Sequence, residues 1–282
     1  MSDRTIETIV FPDPQPGTGI LHPFPTPELP QIDPFVFLDS GAPRQLGTGE
    51  IFVGPHPHRG VQPVSLVFRA DIEHRDSLGN HRRVSSGGMQ WLVAGRGAMH
   101  EEVLRGDADG VFHMAQLWVN VPASLKMAAP EHHAVGSEEV PVITDLGVGA
   151  SIRLYAGELG DVIGPAPLPT PVMIGHVVME PGAEVRLPVR EGWSVGISVV
   201  AGSVDVYDRQ DLSPGCTISF ADDGDSVTGG SQAGGEVLFM AGEPIGEPVA
   251  MGGGFVMNTE SEIRIAFADY QAGAMGELEA SR

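Results

Sequence analysis

The sequence contains a single cysteine, Cys216, among 282 residues. A disulfide within the chain is therefore excluded, and we expect this residue to act as a small buried apolar side chain. Basic residues are also scarce, because 16 Lys and Arg stand against 37 Asp and Glu, for a formal net charge of −21. Such a chain repels phosphate groups, so we expect direct binding neither to nucleic acid nor to an anionic membrane.

Long hydrophobic segments are missing as well. No apolar run approaches the length of a membrane span, and the N-terminal segment MSDRTIETIVFPDPQP lacks the apolar core of a signal peptide. These absences predict a cytoplasmic protein, and we expect it to be a monomer.

Glycine (38) and proline (24) are abundant and alternate with short Val, Ile and Leu runs. Many tight turns between short strands are typical of an all-β sandwich or barrel. One sequence pattern, an apolar run followed by Ala-Gly and a charged turn, occurs in both halves of the chain. This repetition predicts two similar β-barrels. The polar, Pro-bounded stretch Ala128–Pro141 is the predicted connection. We therefore predict an N-terminal domain over residues 1–130 and a C-terminal domain over residues 142–282.

One short helix is predicted near the C-terminus. Thr259 and Glu262 fit a capping box, with Thr259 as the N-cap, and Gly273 suits the C-terminal cap. Four residues between them fall on one helical face, which predicts docking on a barrel: Ile263, Ala266, Phe267 and Tyr270.

Two spaced pairs of metal-binding residue types stand out. GPHPHRG places His56 and His58 two residues apart, and GRGAMHEE places His100 and Glu102 at the same spacing. Residues i and i+2 of a strand face the same side, so each pair can point into one barrel. Pro55 and Pro57, on either side of His56, suit a strand edge or a bulge. Three imidazoles and a carboxylate suit one Fe, Mn, Ni, Cu or Zn ion.

The remaining histidines receive simpler interpretations. Four are expected to be solvated in turns or in the connection: His74, His81, His132 and His133. His113 and His176 lie in strand-like runs, where a hydrogen-bonded strand position is expected.

Longer stretches of the chain resemble the pirin family. The resemblance extends from about Pro34 to Gly276 and is carried by HPHRG, IEHRDSLGNH, QWLVAGRGAMHEE, QLWVN, LFMAGEPIGEPV and GGFVMNTESEIRIAFADYQAGAMG. It implies two cupin (jelly-roll) β-barrels, with a metal only in the N-terminal one. Its ligand pattern of HxH and HxE falls on His56, His58, His100 and Glu102, and the implied metal is iron. The second half has no HxH pair, which agrees with a metal-free C-terminal barrel.

The sequence departs from the family pattern at one place. Where members commonly carry HRGFETVT, this chain has HRGVQPVS. Gln62 thus stands in place of a glutamate, and we expect Pro63 to interrupt its strand. The ligand pattern is retained, whereas the charge and shape around it differ.

Some bacterial family members resemble quercetin 2,3-dioxygenases, so the leading hypothesis is a dioxygenase that acts on a small aromatic flavonol or related enol with O2. Glu102 would be both ligand and catalytic base. Gln116 is a candidate for orienting the substrate, and Phe52 and Met114 are candidates for an apolar lining. The alternative is a regulatory protein whose metal redox state is recognised by a protein partner, and a third hypothesis is a purely structural metal.

Overall fold

The structure is a computed structural model that describes residues 2–16, 18–46 and 49–278. Nearly all of its regular structure is β-strand. The first twelve strands are β1 (Ile6–Val10), β2 (Leu21–Phe24), β3 (Phe35–Ser40), β4 (Arg44–Gln45), β5 (Glu50–His58), β6 (Val61–Arg69), β7 (Asp71–Asp76), β8 (His81–Ser85), β9 (Met89–Val93), β10 (Ala98–Arg105), β11 (Val111–Asn120) and β12 (Glu131–Val135). A short 3-10 turn, Ala123–Leu125, precedes β12.

The remaining strands and the helix complete the chain. They are β13 (Val142–Ile143), β14 (Gly147–Ala156), β15 (Glu158–Leu159), β16 (Val162–Ile163), β17 (Val172–Pro188), β18 (Ser194–Gly202), β19 (Val204–Val206), β20 (Arg209–Leu212), β21 (Thr217–Phe220), β22 (Ser226–Ser231), β23 (Gly235–Gly242), β24 (Ala250–Gly252), β25 (Phe255–Met257) and α1 (Glu260–Gln271). No helix within the described residues combines the length and the hydrophobicity needed to cross a bilayer.

Two compact units are formed, and neither is continuous in sequence. The first unit comprises the chain up to Pro43 together with Glu138–Pro244, and the second comprises Arg44–Ser137 together with the chain from Ile245 onward. The predicted domain boundaries, by contrast, follow the order of the chain. The last strands and the helix therefore belong to the unit that carries HPHRG.

The first unit is built on one ten-stranded antiparallel sheet. Its main path runs β1-β21-β18-β23-β17-β22-β19-β20, with β14 added on β17 and β13 on β14. β17 is 17 residues long and pairs with β14, β22 and β23 along different parts of its length. Apolar residues from these strands form a large core that includes Cys216, which is buried and unpaired as expected.

The second unit carries two antiparallel sheets that face the candidate site. One has the order β5-β10-β7-β8, and the other contains β12-β9-β6-β11 with β4 on β11. Burial along β7 alternates residue by residue, so Ile72, His74 and Asp76 all point inward. β5 is an edge strand, and its register against β10 shifts between Val53 and His56. The prolines of HPHRG are therefore accommodated at an edge and a bulge, as predicted.

The C-terminal helix confirms the predicted caps. The Thr259 hydroxyl accepts from the Glu262 backbone N–H at 3.3 Å, and Gly273 follows the last turn with a φ of 75°. Ile263 and Ala266 are buried in a cluster with Phe255. Two further members of the predicted face remain partly exposed while their rings contact Phe255, namely Phe267 and Tyr270.

Two predictions about local structure are wrong. Within the predicted connection Ala128–Pro141, Glu131–Val135 forms β12 and pairs with β9. Its first three residues are polar, so the strand is recognised only through its ladder with β9. Pro63 does not interrupt β6, because it pairs with Trp118 on β11 and lies just before the ladder with β9 begins at Val64. A missing N–H is tolerated at such a position.

A glycine fixes the turn after HPHR. Gly60 has a φ of 72°, and a Cβ placed there would overlap the carbonyl oxygen of Val256 and lie 2.8 Å from Met257 Sδ. Gly79 has a φ of 88° but nothing within 4 Å of the same position. Both glycines adopt the left-handed conformation that other residues adopt only with strain, but the two positions differ in the space available for a Cβ.

Gly60→Ala should therefore destabilise the protein more than Gly79→Ala. The left-handed conformation costs about 1–2 kcal/mol in both variants, and overlap adds about 1–3 kcal/mol at Gly60 alone. Urea unfolding of both variants measures the difference in the free energy of unfolding. An equal decrease in the free energy of unfolding in both variants would contradict the prediction, because it would show that the backbone around Val256 moves aside with no loss of stability.

Candidate metal centre

Three histidines converge in the second unit. His56 and His58 share one face of β5, and His100 lies opposite His56 in the register of β10. The ring centroids are 5.0 Å apart for His56 and His58, 4.2 Å for His56 and His100, and 4.8 Å for His58 and His100. One ring nitrogen from each lies within 4.8 Å of the others. This distance suits nitrogens that surround a single ion.

The orientation of two rings is fixed by backbone carbonyls. His56 Nδ1 lies 2.8 Å from the Gly54 carbonyl oxygen, and His58 Nδ1 lies 3.0 Å from that of Gly254. A carbonyl oxygen only accepts hydrogen bonds, so each Nδ1 must carry the proton. Each Nε2 is then left with an open lone pair, the form in which histidine binds metals.

Buried nitrogens without partners support the fit of a metal. His58 Nε2 and His100 Nε2 are both buried and have no hydrogen-bond partner. Leaving such an atom unsatisfied costs about 1–3 kcal/mol. A cation between the rings would satisfy both atoms, so the residues present fit a bound metal ion.

Glu102 is held beside the histidines by two amides. Its Oε1 accepts from Gln90 Nε2 at 2.9 Å, and its Oε2 accepts from Gln116 Nε2 at 3.4 Å. Gln116 is oriented in turn, because its Oε1 accepts from Trp118 Nε1 at 3.2 Å. A Glu102 oxygen lies within 4.8 Å of nitrogens of His100 and His74. The carboxylate thus adjoins the three-histidine group through His100.

Burial controls the electrostatics of the centre. It lowers the pKa of His58 to about 3, with repulsion from His56 adding to the effect, and it also places the pKa of His100 well below the usual value. Burial raises the pKa of Glu102, against the opposing attraction of His74 and His56. Neutral imidazoles are the ones that bind metals, so the interior favours the required form.

The expectation that four other histidines are solvated holds for two of them. His81 and His133 are exposed, whereas His74 is only 1% exposed. His132 stacks on His74 with ring centroids 3.9 Å apart, and burial lowers its pKa to about 3. Because the β7 segment EHRD alternates, His74 and Asp76 face inward two residues apart. The same spacing that indicated the other pairs could have indicated this one.

The candidate pocket residues occupy different places. Gln116 contacts Glu102, and Met114 packs against the core cluster around Phe112. Phe52 is 58% exposed. The indole of Trp118, which carries no signal in the sequence pattern, meets His58 edge-on with 4.9 Å between ring centroids.

Gln62, which stands where pirin-family members commonly carry a glutamate, points away from the three histidines. Pro63 and Ser65 line a small cavity beside Glu102, and Gln62 precedes them on β6. Alternation along the strand puts Gln62 on the opposite face, where its amide is fully buried. The change from glutamate to glutamine thus leaves the immediate surroundings of the histidines intact.

The first unit offers no comparable group among its described residues. All three sets of His, Asp and Glu that could converge on an ion lie between His56 and His132. In the first unit, His176 is engaged by Glu236, whose carboxylate lies 2.8 Å from its Nε2.

Comparisons with known proteins agree with this arrangement. A family model described as Pirin matches residues 17–119, and one described as Pirin C-terminal cupin domain matches residues 174–276. Human Pirin is 31% identical over 261 residues, which cover 90% of this chain and 87% of the human protein.

Solved structures extend the comparison. A quercetin 2,3-dioxygenase from Acinetobacter baumannii superposes with a TM-score of 0.85 at 30% identity, covering 98% of both chains. The bacterial pirin YhhW from Escherichia coli, solved in complex with nickel(II), has a TM-score of 0.63 at 17% identity over 84% of this chain and all of YhhW, which shows the shared fold. The predicted all-β fold of two cupin domains with a short C-terminal helix is confirmed.

One metal ion per chain is expected. Two of the three possible groups share His100, and in the third, which comprises His74, Asp76 and His132, the two imidazoles are stacked rather than directed at a common point. Elemental analysis of protein purified without an affinity tag should approach one ion per chain. A reproducible value near two would contradict a single centre.

Metal-free protein should lose stability in acid. An unfolded histidine binds a proton near pH 6.5, whereas folded His58 does so only near pH 3. Between these values the unfolded chain binds more protons, so the contribution of His58 is complete above pH 6.5 and falls by about 1.4 kcal/mol per pH unit towards pH 3.

Urea unfolding of metal-free protein between pH 7 and pH 4 measures this slope. His58→Gln should show a shallower slope than the wild type, while His81→Gln, which changes an exposed histidine, should keep it. Parallel slopes for His58→Gln and the wild type would refute the effect.

Proposed function

Because the chain belongs to the pirin family, we propose that it is a metal-dependent dioxygenase that acts on a flavonol or a related enol with O2. The observation that carries this proposal is the convergence of three imidazoles beside a buried carboxylate, with two Nε2 atoms left without partners. The similarity to a quercetin 2,3-dioxygenase over 98% of both chains supports the substrate class.

The proposed ligands are His56, His58 and His100 through Nε2, together with Glu102. We propose iron as the ion, while the nickel(II) in YhhW indicates that related folds accept other divalent metals. When bound, the metal supplies Lewis acidity and one-electron redox chemistry to substrate and O2. The protein's part is to keep the imidazoles neutral and oriented.

Glu102 is proposed as the base that takes the proton from the substrate hydroxyl. Its Oε1 is held by Gln90 at 2.9 Å, whereas the contact of its Oε2 with Gln116 is longer, at 3.4 Å. Oε2 is therefore the freer oxygen and the proposed site of proton transfer. Gln116 lies where it can donate to that oxygen or to the substrate, which supports its proposed role in orienting the substrate.

The packing around Glu102 restricts the direction from which a substrate can arrive. The cavity lined by Ser65, His74 and Gln90 has a volume of about 10 Å³, enough for about one water molecule. A flavonol cannot enter there. His56 is the partly exposed member of the three histidines, so we propose that the substrate approaches from its side.

A direct test combines metal analysis with turnover. Iron-loaded protein is incubated in air with quercetin, and both the loss of flavonol absorbance and the release of carbon monoxide are followed. Metal-free protein and the flavone that lacks the 3-hydroxyl group serve as controls, because neither should react. Full metal loading without turnover of any flavonol would refute the dioxygenase and favour the regulatory alternative.

Two ligand variants should separate metal binding from proton transfer. His56→Ala removes a neutral donor and should lose metal and turnover together. Glu102→Gln keeps its size and an oxygen but loses charge and basicity, so it should retain metal while turnover falls by roughly a hundredfold or more. Rates are compared at equal metal content, because metal loss alone would imitate a catalytic defect. Undiminished turnover in metal-loaded Glu102→Gln would exclude Glu102 as the base.

A further inference from the structure

A chain of hydrogen bonds leads from His100 to a buried carboxylate. His100 Nδ1 lies 3.3 Å from His74 Nδ1, and His74 Nε2 lies 3.0 Å from Asp76 Oδ2. All three side chains are almost completely buried. β7 presents His74 and Asp76 on its inward face, and its register with β10 places them beside Glu102 and His100.

Asp76 determines which nitrogen donates in each hydrogen bond of this series. Asp76 only accepts as a carboxylate, so His74 Nε2 must carry the proton. Neutral His74 then has an open lone pair on Nδ1, which can accept only from a protonated His100 Nδ1. His100 Nε2 is left as the unprotonated nitrogen, and this is the atom that lies buried without a partner. With His74 neutral, this assignment of protons satisfies each of these contacts.

Asp76 is itself held rigidly by the turn between β7 and β8. Its Oδ1 accepts from the backbone N–H groups of Leu78 and Asn80, each at 2.9 Å, and its Oδ2 also accepts from Asn80 Nδ2 at 2.9 Å. These bonds and the one from His74 outweigh burial and lower the pKa of Asp76 to about 2. The Asp76 carboxylate is thus a fixed negative charge at the far end of this series of hydrogen bonds.

His100 differs in this respect from the two other histidines of the centre. His56 and His58 donate to neutral backbone carbonyls, whereas His100 donates to an imidazole backed by a carboxylate. A charged partner behind a ligating histidine fixes its tautomer and raises its basicity. We propose that Asp76 and His74 are positioning residues that make His100 the strongest nitrogen donor of the centre. The inference rests on the proposed function, because it takes His100 as a ligand.

A second metal ion at His74, Asp76 and His132 is the competing explanation, since their donor atoms also lie within 4.8 Å of one another. The rings of His74 and His132 are stacked at an interplanar angle of 11°. Lone pairs in the planes of parallel rings do not converge on one ion. Both Asp76 oxygens are also already engaged by the turn and by His74. The geometry therefore favours a relay of hydrogen bonds.

The test uses His74→Phe, which keeps a ring to stack on His132 but removes the acceptor for His100. The matched control is His81→Phe, the same substitution on β8 at a side chain that is 61% exposed. Co(II) affinity is measured by competition with a chelator, and thermal unfolding confirms that each variant folds. We expect His74→Phe to bind Co(II) about 10- to 100-fold more weakly than the wild type. The control should bind like the wild type.

A conservative variant and a redox measurement separate positioning from mere packing. His74→Asn retains an oxygen that can accept from His100 Nδ1, so it should recover part of the lost affinity. In iron-loaded protein, His74→Phe should raise the midpoint potential, because a weaker donor stabilises Fe(III) less. Equal Co(II) affinity in the wild type and His74→Phe, no recovery in His74→Asn, or two Co(II) ions per chain would overturn the inference alone. A wild type that takes up no Co(II) would overturn the proposed function as well.

Discussion

His58 Nε2 and His100 Nε2 are buried polar atoms with no partner in the protein, and the second unit is arranged around them. Protonation of either atom is opposed by burial, which lowers the pKa of both histidines. The strands around these atoms nevertheless hold each ring in one orientation through its other nitrogen. Edge strand β5, the inward face of β7 and the amides that hold Glu102 are all consistent with a cation at that point.

The centre also explains the distribution of polar residues in an otherwise apolar interior. Gln90, Gln116 and Asp76 would each be costly to bury alone. Each of them is engaged with a residue of the centre or with its immediate neighbour. These three polar residues thus belong to connected networks, and their geometry is fixed together with that of the centre.

The sequence was sufficient to predict the parts that depend on local periodicity. A spacing of two residues placed His56 with His58 and His100 with Glu102, and the resemblance of longer motifs indicated two cupin domains. It was not sufficient for contacts that depend on how distant strands pair. The sequence alone predicts a solvated His74, because its place beside His100 depends on the register of β7 with β10. The sequence alone likewise predicts that His132 lies in a connection, because β12 is recognised only once its partner β9 is known.

The acceptor for His58 Nδ1 is the carbonyl of Gly254, 196 residues further along the chain. A ribosome that has just completed HPHRG has therefore made two of the histidines but not the group that orients one of them. β25 and α1, which pack beside that carbonyl, emerge later still. The hydrogen bond that orients His58 can thus form only after nearly the whole chain has been translated.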